Sequence, residues 1–373
     1  MHVQPRSNSH RAAKILLFAA IFFFCGELAL GAFLDTAPLS VRFPEAALVL
    51  ERARTQNPPP DIVFFGSSRF MAAIAPGEID QQLRASHGER IPALLPMAVL
   101  GGDFVSTELL LDRMLAEGVR PRIAVIEVSP DLVGRPPHLL SAQLERLFGW
   151  RDVVHWLPEL FEADWSALLT ARLIPVYHYR RELLGWLVGR PPPYLFVPAP
   201  KPVAGPESAA QVVQAASNAQ GVQRGLPAGT GPAGASETPD DPTHGVDRWA
   251  RWLRRFRLSE RCAEVLERVL ARCQKEEITC ILVEPPVASG HRALYGTDVV
   301  TPYRGLLERL GRDYGAPYFD FGDRLPDTSF RDDSHVNRTG AIRFSALIAN
   351  ALIEPLWFGG ERGRPAPTDQ VAP

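Results

Sequence analysis

Two short segments carry side chains whose types and spacing suit nucleophilic chemistry. Gly66-Ser67-Ser68 places a serine directly after an apolar run, Asp61–Phe65. Asp332-Asp333-Ser334-His335 places a carboxylate three residues before an imidazole near the other end of the chain. A serine hydroxyl is a weak nucleophile until a base takes its proton. A histidine serves as that base when a carboxylate accepts its Nδ1 proton, fixes the tautomer and stabilises the imidazolium that forms. Asp332 stands close enough in sequence to do this on one tight turn. The expected chemistry is acyl transfer, in which Ser68 attacks an ester carbonyl, His335 takes and returns the proton, and Asp332 orients His335. Either segment alone is common; the weight rests on finding both in one α/β domain. The other histidines considered, His138, His155, His178 and His291, have no carboxylate pattern beside them and read as surface or structural residues. With no CxxC pair and no HExxH, no metal-site spacing is visible, and the chemistry calls for neither metal nor cofactor.

The surrounding elements must bring the two segments together. Short apolar strands are expected at Asp61–Phe65, Ala93–Leu100, Arg122–Val128, Ile278–Glu284 and Pro317–Phe321. Helices are expected at Pro76–Ser86, Val105–Glu117, Ser259–Glu276, Pro302–Tyr314 and Thr339–Ile353, several with apolar residues recurring at helical spacing. Apolar strands alternating with amphipathic helices predict a parallel sheet covered on both faces, a three-layer α/β/α fold. In such a sheet ligands gather at the carboxyl ends of the strands. Ser68 follows the first strand, and His335 lies between the last strand and the last helix. Asn337 is a good N-cap for that helix, and Gly340 lets it pack closely.

The α/β pattern is expected over 61–356, with a helical insertion at 139–190 and a Pro/Ala/Gly/Ser/Gln-rich stretch at 193–243. That stretch has too few large apolar residues to offset its ordering entropy and reads as a disordered loop. Residues 357–373 read as a disordered tail. The insertion is rich in tryptophan; a lid or substrate wall is one reading, and packing of most of these rings on the core is the expected role. Residues 1–14 and 35–60 read as a cytoplasmic N-terminus and a connector around the apolar run Ile15–Leu34, whose single charge is Glu27. Twenty helical residues rise about 30 Å, enough to cross a bilayer core. Arg6, Arg11 and Lys14 precede the run and no basic residue follows until Arg42, which predicts a single-pass inner-membrane anchor with the rest of the chain extracytoplasmic. A cleaved signal peptide, with small residues at Ala29-Leu30-Gly31, is the other reading of the run, and it exports the chain too. Net charge is −2, so no nucleic-acid partner is expected. Cys273 and Cys280 flank a helix-to-strand connection and could pair, though free buried thiols are the preferred reading.

With these residues in place, the chain resembles the SGNH, or GDSL-like, hydrolase superfamily. There the nucleophile stands third in Gly-Asp-Ser or a variant, which here is Ser68. The closing block is Asp-x-x-His followed by Asn and Gly, here Asp332, His335, Asn337 and Gly340. The likeness is nearest to the membrane-anchored branch whose first block reads Gly-Ser-Ser, similar to the D-alanyl-lipoteichoic-acid esterase type and the alginate acetyltransferase-like proteins. It implies a flavodoxin-like sheet and an extracytoplasmic serine esterase or O-acyltransferase. The implied substrate is an acylated polysaccharide, glycolipid or lipid of the cell envelope, and a membrane acyltransferase is an implied partner. For the oxyanion hole it implies the backbone of Ser68 with Gly101 or Gly102. The third block usually adds an asparagine, but this chain reads Val128-Ser129-Pro130-Asp131, so Ser129 is the substitute. Arg69 is a further donor, a contact for an anionic substrate group, or a surface salt bridge. Pro96 also replaces an asparagine often found in the second block. The missing third-block asparagine keeps open a catalytically degenerate scaffold that binds or helps assemble envelope polymer. The ordinary α/β-hydrolase fold fits less well, because it wants G-x-S-x-G and Phe70 stands at the second glycine.

Overall fold

The computed structural model describes residues 7–134, 144–188 apart from 157, 159 and 161, residue 250, and 252–359. The expected disordered loop at 193–243, His138 and nearly all of the tail lie outside these residues. Five strands, β1 (Ile62–Phe65), β2 (Leu94–Pro96), β3 (Ile123–Glu127), β4 (Thr279–Glu284) and β5 (Tyr318–Asp320), form one sheet in the order β2-β1-β3-β4-β5. Every pairing is parallel. β2 is an edge strand and tolerates Pro96, whose nitrogen faces away from β1. The chain keeps pace with β1 beyond it, since Met97 N donates to Phe64 O and Val99 N to Gly66 O.

The helices are α1 (Ser7–Thr36), α2 (Leu39–Arg42), α3 (Pro44–Thr55), α4 (Ser68–Ala73), α5 (Pro76–His87), α6 (Phe104–Ala116), α7 (Pro130–Val133), α8 (Trp150–Trp156), α9 (Glu162–Leu173), α10 (Pro175–His178), α11 (Arg180–Leu187), α12 (Glu260–Lys275), α13 (Ser289–Arg292), α14 (Thr297–Tyr314), α15 (Arg338–Ile348) and α16 (Glu354–Phe358). A π-helical turn, Ala349–Ile353, joins the last two. Strand side chains alternate between two cores, as the period of two requires. Val63, Phe65, Ala124, Ile126 and Leu282 meet α3, α6, α12 and α14 on one face. Ile62, Phe64, Val125, Ile281 and Val283 meet α4, α5 and α15 on the other. The architecture is therefore the three-layer α/β/α arrangement.

Several boundaries differ from the sequence reading for local reasons. α14 starts at Thr297, with Pro302 inside it, because Gly296 in extended conformation provides the start. The connector 35–60 contains α2 and α3, and α3 supplies Ala46, Val49 and Ala53 to the core. The insertion adds Leu147, Phe148, Val153, Trp156 and Leu168 to the same core. Trp156 is thus a packing residue, whereas Trp186 is 62% exposed. All four cysteines are free, and Cys262, Cys273 and Cys280 are buried. α1 is long and apolar enough to cross a membrane: the 26 residues Arg11–Thr36 have a mean hydropathy of 2.3 in their most apolar stretch.

Candidate active site

The strand order reverses between β1 and β3, and a crevice forms outside the carboxyl ends at such a switch point. β1 ends at Phe65 and its chain turns through Gly66 and Ser67 into α4, whose first helical residue is Ser68. Sequence reading placed the first helix after β1 at Pro76 and missed α4. Its signal was Ser67, an N-cap whose Oγ accepts from Arg69 N at 3.1 Å. As the first helical residue, Ser68 has an N–H with no intrahelical acceptor. Its side chain is half-buried.

His335 arrives on a closed loop. Phe330 and Val336 form an antiparallel bridge, and Arg331 N donates to His335 O at 3.0 Å. Asn337 caps α15 through Gly340 N at 3.0 Å, and its Nδ2 donates to Thr328 O at 2.8 Å. The loop thus points His335 at the nucleophile turn. Ser68 Oγ and His335 Nε2 lie 2.8 Å apart, across 267 residues of sequence. His335 Nδ1 lies 3.0 Å from both Asp332 carboxylate oxygens. An ionised carboxylate only accepts, so the proton sits on Nδ1, Nε2 is left as acceptor, and Ser68 donates to it. The Asp332 carboxylate also accepts from Ser334 N at 3.0 Å and His335 N at 2.7 Å. Burial opposes its ionisation, but the bonds from His335 and these backbone groups outweigh it and hold the carboxyl down at about 2. An imidazole held between a hydroxyl and an ionised carboxylate can accept the hydroxyl proton and pass it to a leaving group.

The nucleophile turn is secured from below by a residue the sequence reading did not single out. Glu127, the last residue of β3, is 1% exposed. Its carboxylate accepts from Ser67 N at 2.6 Å and Ser67 Oγ at 2.8 Å. Burial raises its pKa, against the pull of Arg69 and the Ser67 bonds. Gly66 is required here: a Cβ on it would overlap the Glu127 carboxylate and sit 2.8 Å from Glu127 Cβ. The only prior signal was an acidic residue inside an otherwise apolar strand, which a parallel sheet rarely tolerates without a partner.

Arg69 occupies neither a surface salt bridge nor an exposed substrate contact. It is 7% exposed, and its Nη2 donates to Asp131 Oδ2 at 2.5 Å. Asp131 also accepts from Tyr295 OH at 2.9 Å and lies 3.3 Å from His291 Nε2. Burial alone would raise the Asp131 carboxyl, yet Arg69 and His291 hold it well below the usual carboxylate range. His291 is fully buried and its Nδ1 is 3.6 Å from Asp333. It is not at the surface, and its carboxylates come from residues 131 and 333, where sequence adjacency could not reveal them. The cluster ties α4, α7, α13 and the His335 loop together beneath the site.

The expected oxyanion donors are placed unequally. Gly102 N donates to Val99 O at 2.9 Å and is already committed. Gly101 takes a φ of +70°, a left-handed conformation suited to glycine. Ser129 follows β3, next to the nucleophile strand, and its Oγ is buried with no hydrogen-bond partner among the described residues. Gly102 has a different role. A Cβ on it would overlap the Gly66 carbonyl oxygen and lie 2.9 Å from its carbon, so the two loops touch backbone to backbone. Gly102→Ala is therefore expected to displace the nucleophile turn and lower Ser68 reactivity by about 100-fold, the cost of a misplacement of about 1 Å. Labelling rates measured with a serine-directed phosphonate, alongside the melting temperature, check this.

No family model matches the sequence, and no curated protein matches it. Among solved structures the chain is similar to LAE5, an alpha/beta hydrolase enzyme from the metagenome of Lake Arreo, Spain, at 12% identity and a TM-score of 0.33, covering 77% of this chain and 93% of that one. A likeness of that size says nothing about activity. Among the described residues, no group of three or more His, Cys, Asp or Glu side chains is arranged to hold a metal ion. What stands is an α/β fold with a parallel five-stranded sheet, an N-terminal helix able to cross a membrane, and a serine, an imidazole and a carboxylate in hydrogen-bonded series at the sheet's switch point.

Proposed function

We propose that the protein is a membrane-anchored, extracytoplasmic serine esterase or O-acyltransferase of the SGNH type, with 61–356 as its α/β domain. The observation that carries this reading is the 2.8 Å contact of Ser68 Oγ with His335 Nε2, with Asp332 behind the imidazole at 3.0 Å. Ser68 attacks the ester carbonyl and forms a tetrahedral intermediate, while its proton passes to His335. Collapse of the intermediate breaks the bond to the leaving alcohol, which takes that proton, and the acyl group remains on Ser68 Oγ. Water or a sugar hydroxyl, deprotonated by the same imidazole, then attacks the acyl-enzyme and frees Ser68. The N–H of Ser68 and the Ser129 hydroxyl are the proposed oxyanion donors, with Gly101 beside them. The substrate class, an acylated envelope glycan or lipid, follows from the resemblance and from export through α1, with the domain on the outer side of the inner membrane. Exposing the full-length protein to envelope extracts should leave an acyl group on the peptide containing Ser68, detected by mass spectrometry and absent in Ser68→Ala.

A second reading, a scaffold that binds polymer without turnover, is favoured by one observation: the Gly102 N–H is spent on Val99 O. On that reading the Ser68 peptide stays unmodified in every extract, although the protein still retains glycan.

A further inference from the structure

The exposed faces of α9, α10 and α11 carry large apolar side chains, among them Trp186, a ring expected from the sequence to pack on the core. Leu173, Val176, Tyr177, Leu184, Trp186 and Leu187 are 48–77% exposed. α9 and α10 stand beside α1, and α11 packs against α10. Glu27 is only 2% exposed, and its Oε2 accepts from Val176 N at 3.1 Å. Leu34 is buried with Ala171 and Tyr179, with Leu30 packed against them, and Gly31 leaves just enough room for the Arg172 carbonyl. Residues 27, 30, 31 and 34 form one helical stripe, so α1 docks on the insertion along its last two turns.

The length of α1 fixes the depth of that dock. A bilayer core of about 30 Å needs about twenty helical residues. Counted from Ile15, just past Lys14, the core ends near Leu34. Residues 15–26, about 18 Å of helix, stand free of the domain. The last stretch, about 12 Å, runs alongside α9 and α10. The other side of α1 is still apolar there: Leu28 and Phe33 are 55% and 46% exposed. A helix that spans the bilayer therefore brings α9 and α10 down to the depth of the outer acyl chains.

We infer that the α9–α11 face is seated in the outer leaflet of the membrane that α1 crosses, forming a second, non-spanning membrane contact. Its chemistry matches that occupant. Between residues 164 and 188 the only carboxylates are Asp164 and Glu182, each 2% exposed. The exposed charges are Arg180 and Arg181. The Arg180 guanidinium lies 4.5 Å from the centre of the Tyr177 ring. Apolar side chains with aromatic and arginine residues at their edge, and no exposed anion among the described side chains from Asp164 to Val188, suit acyl chains below and anionic headgroups above. The domain is also joined to α1 without a flexible hinge. Arg172 pairs with Asp35 at 3.1 Å and donates to Phe148 O at 2.6 Å, and Arg42 donates to the same carbonyl at 2.6 Å. The two contacts together hold the domain in one orientation over the bilayer. This inference rests on α1 crossing the membrane and is independent of what Ser68 does.

The test uses the full-length chain with Cys25→Ala and single cysteines introduced at Leu187, Phe22 or Glu308, each labelled with bimane. The proteins are reconstituted into phosphatidylethanolamine–phosphatidylglycerol vesicles. Doxyl groups on the acyl chains should quench the labels of Leu187→Cys and Phe22→Cys at least threefold more strongly than that of Glu308→Cys. Aqueous iodide should show the reverse order. If the Leu187→Cys label is as open to iodide as the Glu308→Cys label while that of Phe22→Cys is not, the face points to water and the inference fails. If neither quencher reaches Leu187→Cys, another protein copy covers the face, which also overturns it. A label open to iodide in vesicles but closed in native membranes overturns it in favour of a protein partner. If the Phe22→Cys label is open to iodide, α1 is not in the bilayer and the inference falls with it.

Discussion

Replacing His335 by alanine is expected to lower ester turnover by about 10⁴-fold or more, with the fold intact. The loss is large because Ser68 Oγ has the His335 ring as its base at 2.8 Å, and alanine leaves the proton nowhere to go. Asp332→Asn separates orientation from basicity. Asparagine can still accept from Ser334 N and His335 N, so the loop stays closed. Its amide, however, can turn an N–H toward Nδ1 and favour the tautomer that puts the proton on Nε2, where it blocks the transfer from Ser68. A loss of about 10³-fold is expected, below the largest effects known for such aspartates, because the Asp332 side chain is 44% exposed and water competes for the ring. The pH dependence adds a check. With the Asp332 carboxyl held down at about 2, it stays ionised wherever an imidazole changes charge. The acid limb of kcat/KM should therefore follow a single proton, with no second break near pH 4. These values are read from initial rates on an activated aryl ester from about pH 3 to about pH 9.

Glu127→Ala is expected to lose both stability and reactivity. The substitution leaves the Ser67 N–H and hydroxyl without their acceptor inside the protein. Leaving two buried donors unsatisfied costs about 1–3 kcal/mol each. For a domain of this size that is a fall in melting temperature of the order of 10 °C. Ser68 reactivity should fall by about 100-fold, because the turn that presents it is no longer fixed. Glu127→Gln is the informative companion. Its carbonyl can accept from Ser67 N and its amide can donate to Ser67 Oγ, so most of the position is kept. A smaller stability loss with reactivity within about tenfold of wild type is expected, measured at a temperature where both variants are folded. If Glu127→Ala were as reactive as wild type, Glu127 would be a stability element only.

The fold and the pairing at its centre were legible in the sequence for a physical reason. A parallel strand buried on both faces must be a short apolar run, and DIVFF, RIAVIEV and ITCILVE are such runs. The contacts that shape the site were less legible because they join residues far apart in sequence. Glu127 reaches Ser67 across 60 residues, and Asp131 meets Arg69 across 62 and His291 across 160. Nothing in local spacing announces those partners. α4 escaped notice because six residues carry too little periodicity to stand out, although Ser67 was there to cap it. The tryptophans of the insertion divide, Trp156 in the core and Trp186 62% exposed, because residue type shows that a ring is apolar and does not show what covers it.

The central claim is that Ser68 is a nucleophile activated by His335. It is tested most directly by labelling the full-length protein with a fluorophosphonate, wild type against Ser68→Ala and His335→Ala. The expected result is covalent labelling of the wild type on the peptide containing Ser68, none in Ser68→Ala, and at least a hundredfold slower labelling in His335→Ala. A wild-type protein that stays unlabelled under conditions where a control serine esterase reacts fully would contradict it, as would equal labelling of wild type and Ser68→Ala.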